Sequence, residues 1–189
     1  MMIKTIAEHT LDFSLLPKKA NILDLGCRGF QFADYFRVLG HNVFAVDCDD
    51  LNGSYFKVAI SDFNGFTDVY KNRDPQATRI TRKHEGQSST SVLAMTLEKF
   101  SLNVEVKFWD LIKMDIEGSE KEVIMAMSKP VATQLSIEFH LHTKVYSEKD
   151  VRDMEIKLMS LGYKVVKHEK TAAHGCGLNY WDSLFVLND

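Results

Sequence analysis

Leu111-Ile112-Lys113-Met114-Asp115-Ile116-Glu117-Gly118-Ser119-Glu120 is an apolar run that stops at acids and a glycine. A short run of this kind reads as a buried strand, and open α/β sheets bind their ligands at the carboxyl ends of such strands. Asn21-Ile22-Leu23-Asp24-Leu25-Gly26 and Leu135-Ser136-Ile137-Glu138-Phe139-His140 have the same form. A sheet built from these runs gathers Asp24, Asp115, Glu117, Glu138 and His140 along one edge, which is the arrangement of an enzyme.

Working outward, strands and helices alternate. Residues 21–25 read as a strand, 29–39 as a helix with Phe32, Phe36 and Leu39 at helical spacing, and 42–46 as a second strand, together a βαβ unit. Residues 56–60 read as a strand that turns through Asn64-Gly65 into a hairpin partner over 66–70. Residues 71–90, with Pro75, Gly86 and Ser88-Ser89-Thr90-Ser91, read as a long loop. A short helix over 97–100 and a helix over 119–127, ahead of Pro130, follow. Ser147 and Asp150 cap a helix to Leu161 with Gly162 as its stop, and residues 163–168 and 183–187 are the last strands, separated by a 14-residue loop. This alternation, without linker or repeat, predicts one domain over residues 1–189 with a mostly parallel, doubly wound α/β sheet.

Composition narrows the classes. A chain of 189 residues, 45% of them hydrophobic, suits one domain that buries roughly 70% of its unfolded surface. Glu8, His9 and Asp12 interrupt the first 19 residues, which therefore lack a secretion-signal core. No run approaches the ~18 apolar residues of a membrane span. The expectation is a cytoplasmic protein without a membrane partner. Cys27, Cys48 and Cys176 are odd in number and lack zinc spacing, so they read as reduced thiols. A net charge of -3 gives no broad basic face and disfavours nucleic acid as a partner. Lys71, Arg73, Arg79, Arg82 and Lys83 are a local exception, suited to a solvated loop or to an anionic acceptor.

The first βαβ unit points to a nucleoside. Asp24-Leu25-Gly26-Cys27-Arg28-Gly29 is a tight strand-to-helix turn, and Asp47 follows Gly26 by 21 residues, the distance at which an acid reaches ribose hydroxyls. A dinucleotide fingerprint needs its second glycine at position 28, where this chain has Arg28. S-adenosylmethionine has no phosphates; it needs room at the turn, an acid near its ammonium group and an acid for its ribose. Asp24, Gly26, Cys27, Arg28, Gly29 and Asp47 form that site, with Asp62 after Ala59-Ile60-Ser61 for the adenine amine.

Here the chain resembles a known family. Lys113-Met114-Asp115-Ile116-Glu117-Gly118-Ser119-Glu120, followed by Glu122-Val123-Ile124, is similar to the signature of the FkbM family of S-adenosylmethionine-dependent methyltransferases. The likeness extends to Asp24-Leu25-Gly26, to Val58 through Asp62 with Asn64-Gly65, to the small residues from Gly86 to Ser91, and to Ser136 through His140. It implies a single-domain class I methyltransferase fold, Rossmann-like with an antiparallel last strand, and O-methylation of a hydroxyl on a sugar or secondary metabolite. In two respects the chain departs from the family pattern: Gly29 comes three residues after Gly26 rather than four, and the chain is short for a separate acceptor domain.

Methyl transfer is an in-line displacement, with the acceptor oxygen held about 3 Å from the methyl carbon. A placed base contributes about 10²–10⁴-fold. Asp115 is the first candidate base and His140 the second; His140 alternates with His142 and shares a side with Glu138. Glu117 and Glu138 complete the catalytic candidates. These donors would also suit a cation, but no metal ligand is assigned. Glu120 reads as a first-turn acid favoured by the helix dipole. The residues from His174 to Asp182, with Tyr180 and Trp181, suit a sugar face. A nucleic-acid methyltransferase and a catalytically silent cofactor-binding protein are the alternatives.

Overall fold

The computed structural model describes residues 1–70, 89–141, 145–173 and 178–188. In chain order the elements are β1 (Ile3–Ile6), β2 (His9–Asp12), β3 (Asn21–Leu25), α1 (Gln31–Val38), β4 (Asn42–Asp47), β5 (Phe56–Lys57), β6 (Ala59–Ser61), β7 (Gly65–Tyr70), β8 (Ser89–Thr96), α2 (Leu97–Asn103), β9 (Trp109–Met114), α3 (Glu120–Ala126), β10 (Ala132–His140), α4 (Glu148–Ser160), β11 (Tyr163–Ala173) and β12 (Leu178–Leu187). Among the described residues, seven strands form one mixed sheet in the order β11-β12-β10-β9-β3-β4-β5. Strands β5, β4, β3, β9 and β10 run parallel, and β12 lies antiparallel between β10 and β11.

Alternate residues of the central strands serve opposite faces, so both faces carry a core. Leu23, Leu25, Ile112, Met114, Leu135 and Ile137 pack with Val123 of α3 and with Val151, Met154 and Leu158 of α4. On the other face Ile22 and Leu111 meet Phe32 and Phe36 of α1 and Leu11 of β2. Helix α4 starts on a complete capping box between Ser147 and Asp150, and Gly162 follows its end at φ 94°.

Several expectations are corrected. Residues 56–60 do not form one strand: β5 joins the main sheet, whereas β6 belongs to a small second sheet in the order β6-β8-β7. Asn64-Gly65 therefore does not turn between paired strands. The Asn64 side chain instead accepts the N–H of Thr96 at 3.1 Å, tying it to the end of β8, which lies between the other two. Ser89 and Thr90, expected in the loop over 71–90, pair instead with Tyr70 and Val69 as strand. The basic cluster within 71–88 lies outside the described residues, as do His142 and His174. The 14-residue loop expected after His168 is largely paired strand, because the β11–β12 ladder continues to Ala173 opposite Leu178.

The first residues form a β1–β2 hairpin that no pattern announced. Ala7 and Glu8 turn it with both φ angles positive, at 45° and 71°. Gln134 of β10 clamps it, accepting the Asp12 N–H at 2.9 Å and donating to the Asp12 carbonyl at 3.1 Å. No described helix is long and apolar enough to cross a membrane.

The turn after β3 depends on Gly26. It has φ 79°, and a Cβ built on it would lie 1.7 Å from the Asp115 carbonyl oxygen. Gly40 has a similar φ of 85° with nothing within 4 Å of a Cβ. Gly40→Ala should cost only the left-handed penalty of about 1–2 kcal/mol. Gly26→Ala should cost clearly more, because backbone must move as well; thermal melts of the two variants check the order, and equal losses would contradict it.

Candidate functional site

Lys113 lies in the middle of the site, although it belongs to an otherwise apolar strand. Its side chain is 4% exposed, and its ammonium donates to the Gly26 carbonyl at 2.6 Å. It stands 3.2 Å from Asp24 and 3.1 Å from Asp115. Burial alone would drive it toward neutrality, but the charges of Asp115 and Asp24 outweigh that and hold it above the ordinary lysine range. Asp24 is thereby turned inward: it is 1% exposed and faces Lys113 rather than an open turn.

Asp115 follows β9 at the point where Gly26 approaches its carbonyl. Its Oδ1 is 3.2 Å from His140 Nε2, and its Oδ2 faces Lys113 and, at 3.5 Å, His9 Nε2. The side chain is still 25% exposed. Burial opposes its ionisation, yet Lys113, His140 and His9 together hold its carboxyl well below the usual range. Glu117 and Glu138 come within 3.8 Å and 3.9 Å of His140 Nε2, so the four catalytic candidates do converge. Loss of solvent, reinforced by the charges of Asp115, Asp182 and Glu117, pushes Glu138 up to about 8. Glu117 adopts φ 57°, a left-handed backbone uncommon for a side chain of this size, directly before Gly118.

His140 is 2% exposed and has carboxylates at both ring nitrogens: Glu120 Oε1 lies 2.9 Å from Nδ1, and Asp115 faces Nε2. Desolvation disfavours the imidazolium, but Glu120 and Asp115 raise its pKa well above the ordinary value. Glu120 is therefore more than a helix-dipole acid. It is fully buried and accepts the N–H groups of Ile116 and Gly118 and the Tyr146 hydroxyl. Sequence reasoning missed His9, Lys113, Glu120 and Tyr146 as members of the site. Burial among apolar residues was the available signal for Lys113; His9 gave none, since it arrives by the unforeseen hairpin. Burial and Lys113 lower the His9 pKa, leaving a neutral ring.

Asp47 ends β4 beside the turn after β3 and accepts the Asp49 N–H at 2.9 Å; burial raises its pKa. Arg28 pairs with Asp49 at 3.2 Å. Cys27 is buried against Ala33 and Ala45, and desolvation pushes its thiol up. Gly29 lies in the same turn at φ 77°, whereas exposed Asp62 follows β6 of the small sheet, where its charge acts on Glu122 of α3. Donor atoms of His9, Asp115 and Glu138, and of Asp115, Glu117 and His140, lie within 4.8 Å of one another. Such groups suit a cation by donor type, but Lys113 and His140 already place positive charge on Asp115.

A sequence profile described as the methyltransferase FkbM domain matches residues 10–165. No curated protein matches the chain in sequence. Among solved structures, a putative hemolysin from Streptococcus thermophilus is similar at 14% identity and TM-score 0.54, over 94% of this chain and 62% of that one. The chain thus spans about three fifths of that protein's length. The fibrillarin pre-rRNA processing protein of Methanococcus jannaschii is similar at 10% identity and TM-score 0.51, over 98% and 70% of the two chains. Both likenesses are of fold.

The Lys113 cluster is directly testable. Removing one partner of a buried ion pair typically costs about 3–5 kcal/mol, so Lys113→Met should lower the Tm by on the order of 10 °C at neutral pH. Asp115 has a depressed folded pKa, so in the parent its contribution is present above the ordinary carboxylate range and lost only in acid. In the variant Asp115 can take a proton more readily, and the gap in Tm should narrow as the pH falls. A gap that widens in acid would show that the ammonium does not compensate these carboxylates.

Proposed function

Since the chain belongs to the FkbM methyltransferase family, we propose that it transfers a methyl group from S-adenosylmethionine to a hydroxyl oxygen of a sugar or secondary metabolite, with Asp115 as the acceptor's base. Its fold is the α/β fold with a mixed sheet found in class I methyltransferases. The acceptor is taken to be a small molecule and the compartment the cytoplasm. One observation carries the reading: an ionised, partly exposed carboxylate, Asp115, stands at the carboxyl end of β9 with its own carbonyl against the nucleoside turn at Gly26.

The residues fit this donor. Asp47 is positioned for ribose hydroxyls, and Arg28 occupies the place where a dinucleotide needs a second glycine. The carboxylates of Asp24, Asp115, Glu117 and Glu120 outnumber the cations Lys113 and His140, so the cluster is anionic and complements a sulfonium. When bound, S-adenosylmethionine supplies an electrophilic methyl on a cationic sulfur. Asp115 is a weak base, but a weak base suffices when the proton leaves late, because an alcohol oxygen gaining a second carbon bond, to the transferred methyl, becomes oxonium-like and far more acidic than the alcohol. His140 cannot take that proton while both its nitrogens donate. Its part is to hold Asp115 ionised and aimed.

At 100-fold over its dissociation constant, S-adenosylhomocysteine should add about 2.7 kcal/mol and raise the Tm by about 5–10 °C. NAD should add nothing; stabilisation by NAD alone would overturn the cofactor reading. Asp115→Asn should bind S-adenosylhomocysteine as the parent does and lose about 10²–10⁴-fold in turnover. The assay follows labelled methyl into the extract component that the parent modifies. Normal turnover by this variant would remove Asp115 from the chemistry.

A further inference from the structure

We infer that Glu120 is a positioning residue for methyl transfer: together with Tyr146 it locks the His140 ring so that Nε2 donates to Asp115 and fixes the carboxylate that meets the acceptor. The inference rests on the reading of Asp115 as the acceptor's base. Four donors from three parts of the chain converge on Glu120. Ile116 N–H and His140 Nδ1 reach Oε1 at 3.1 Å and 2.9 Å, while Gly118 N–H and the Tyr146 hydroxyl reach Oε2, each at 2.9 Å. The Tyr146 oxygen in turn accepts the His140 backbone N–H at 2.6 Å, so ring and main chain of His140 are held by one continuous network.

Geometry dictates the proton positions. A carboxylate oxygen accepts, so the ring nitrogen facing Glu120 donates, and the one facing Asp115 donates for the same reason. Among the described residues, the titratable groups facing the ring include Asp115, Glu117, Glu120, Glu138 and Tyr146, with Lys113 and His9 beyond Asp115. A helix-dipole acid needs none of this. It would sit in water at the start of α3, whereas Glu120 is 0% exposed and Ser119, the residue before the helix, makes no side-chain cap. The loop that carries Asp115 and Glu117 is folded back onto Glu120 through Ile116 and Gly118, so one side chain sets both the base and the ring that orients it.

The test uses the full chain labelled with ¹⁵N-histidine and saturated with S-adenosylhomocysteine, with His140→Asn to assign the signal. Parent protein at neutral pH should show His140 with both ring nitrogens protonated, and Glu120→Gln should convert it to a neutral or exchanging ring. Turnover of Glu120→Gln should fall by about 10²-fold, the scale of an ångström-sized misplacement, while its KM for S-adenosylmethionine stays within a few-fold of the parent's. Tyr146→Phe, which keeps the charge pair but removes the clamp on the His140 main chain, should lie between. Should Glu120→Gln fail to fold, the ring state of the parent and the kcat of Tyr146→Phe decide. A neutral His140 in the parent, an unchanged ring in a folded Glu120→Gln, or full turnover in both variants would overturn the positioning role. Full turnover in Asp115→Asn would instead sink the earlier reading, so the two failures are distinguishable.

Discussion

The ammonium of Lys113 is the constraint on which the site depends. Taking a charge out of water costs several kcal/mol, and the cost is recovered only when partners stand in good geometry on every side. Here the partners are Asp24, Asp115 and the Gly26 carbonyl. Asp24 and Lys113 are direct register neighbours on adjacent parallel strands, so a one-residue slip of β3 against β9 would separate them and take from buried Asp24 its cation. Strand register, the glycine turn and the ionised Asp115 are thus consequences of a single placement.

Carboxylates in this site divide by environment rather than by type. Asp115 has three cationic or donor neighbours and stays ionised; Glu138 lies close to other acids and holds its proton toward about 8. Glu120 has no solvent but four donors. Side chains of one chemistry are thus given different protonation and different partners by their surroundings alone.

How much of this could be read from the sequence depended on the range of the interaction. Strands β3, β9 and β10 were legible because their apolar runs are buried on both faces, and α4 because Ser147 and Asp150 cap it locally. The β1–β2 hairpin was not legible, since Ala7-Glu8 has neither the glycine nor the asparagine that ordinarily marks a left-handed turn. Insertion of β8 between β6 and β7 is a pairing decision that no local pattern encodes. The strand-end acids Asp115, Glu117 and Glu138 stand around His140, whereas the burial of Glu120 against the same ring has no local signature. An acid at a helix start looks the same in sequence whether it faces water or a histidine twenty residues away.

Residues 9–12 leave the ribosome long before β10 exists, yet Asp12 is clamped by Gln134 across 122 positions of chain. Strand β12, between β10 and β11 in the finished sheet, comes later still. Contacts this distant in sequence are slow to close, because the entropy of a long loop must be lost before any pairing rewards it. His9 is therefore held against Asp115 only once β9 and β10 are available. During synthesis the β3–α1–β4 unit can form from local contacts well before the charge cluster has its last member, so assembly of this protein is expected to run from that unit toward the cluster around Lys113.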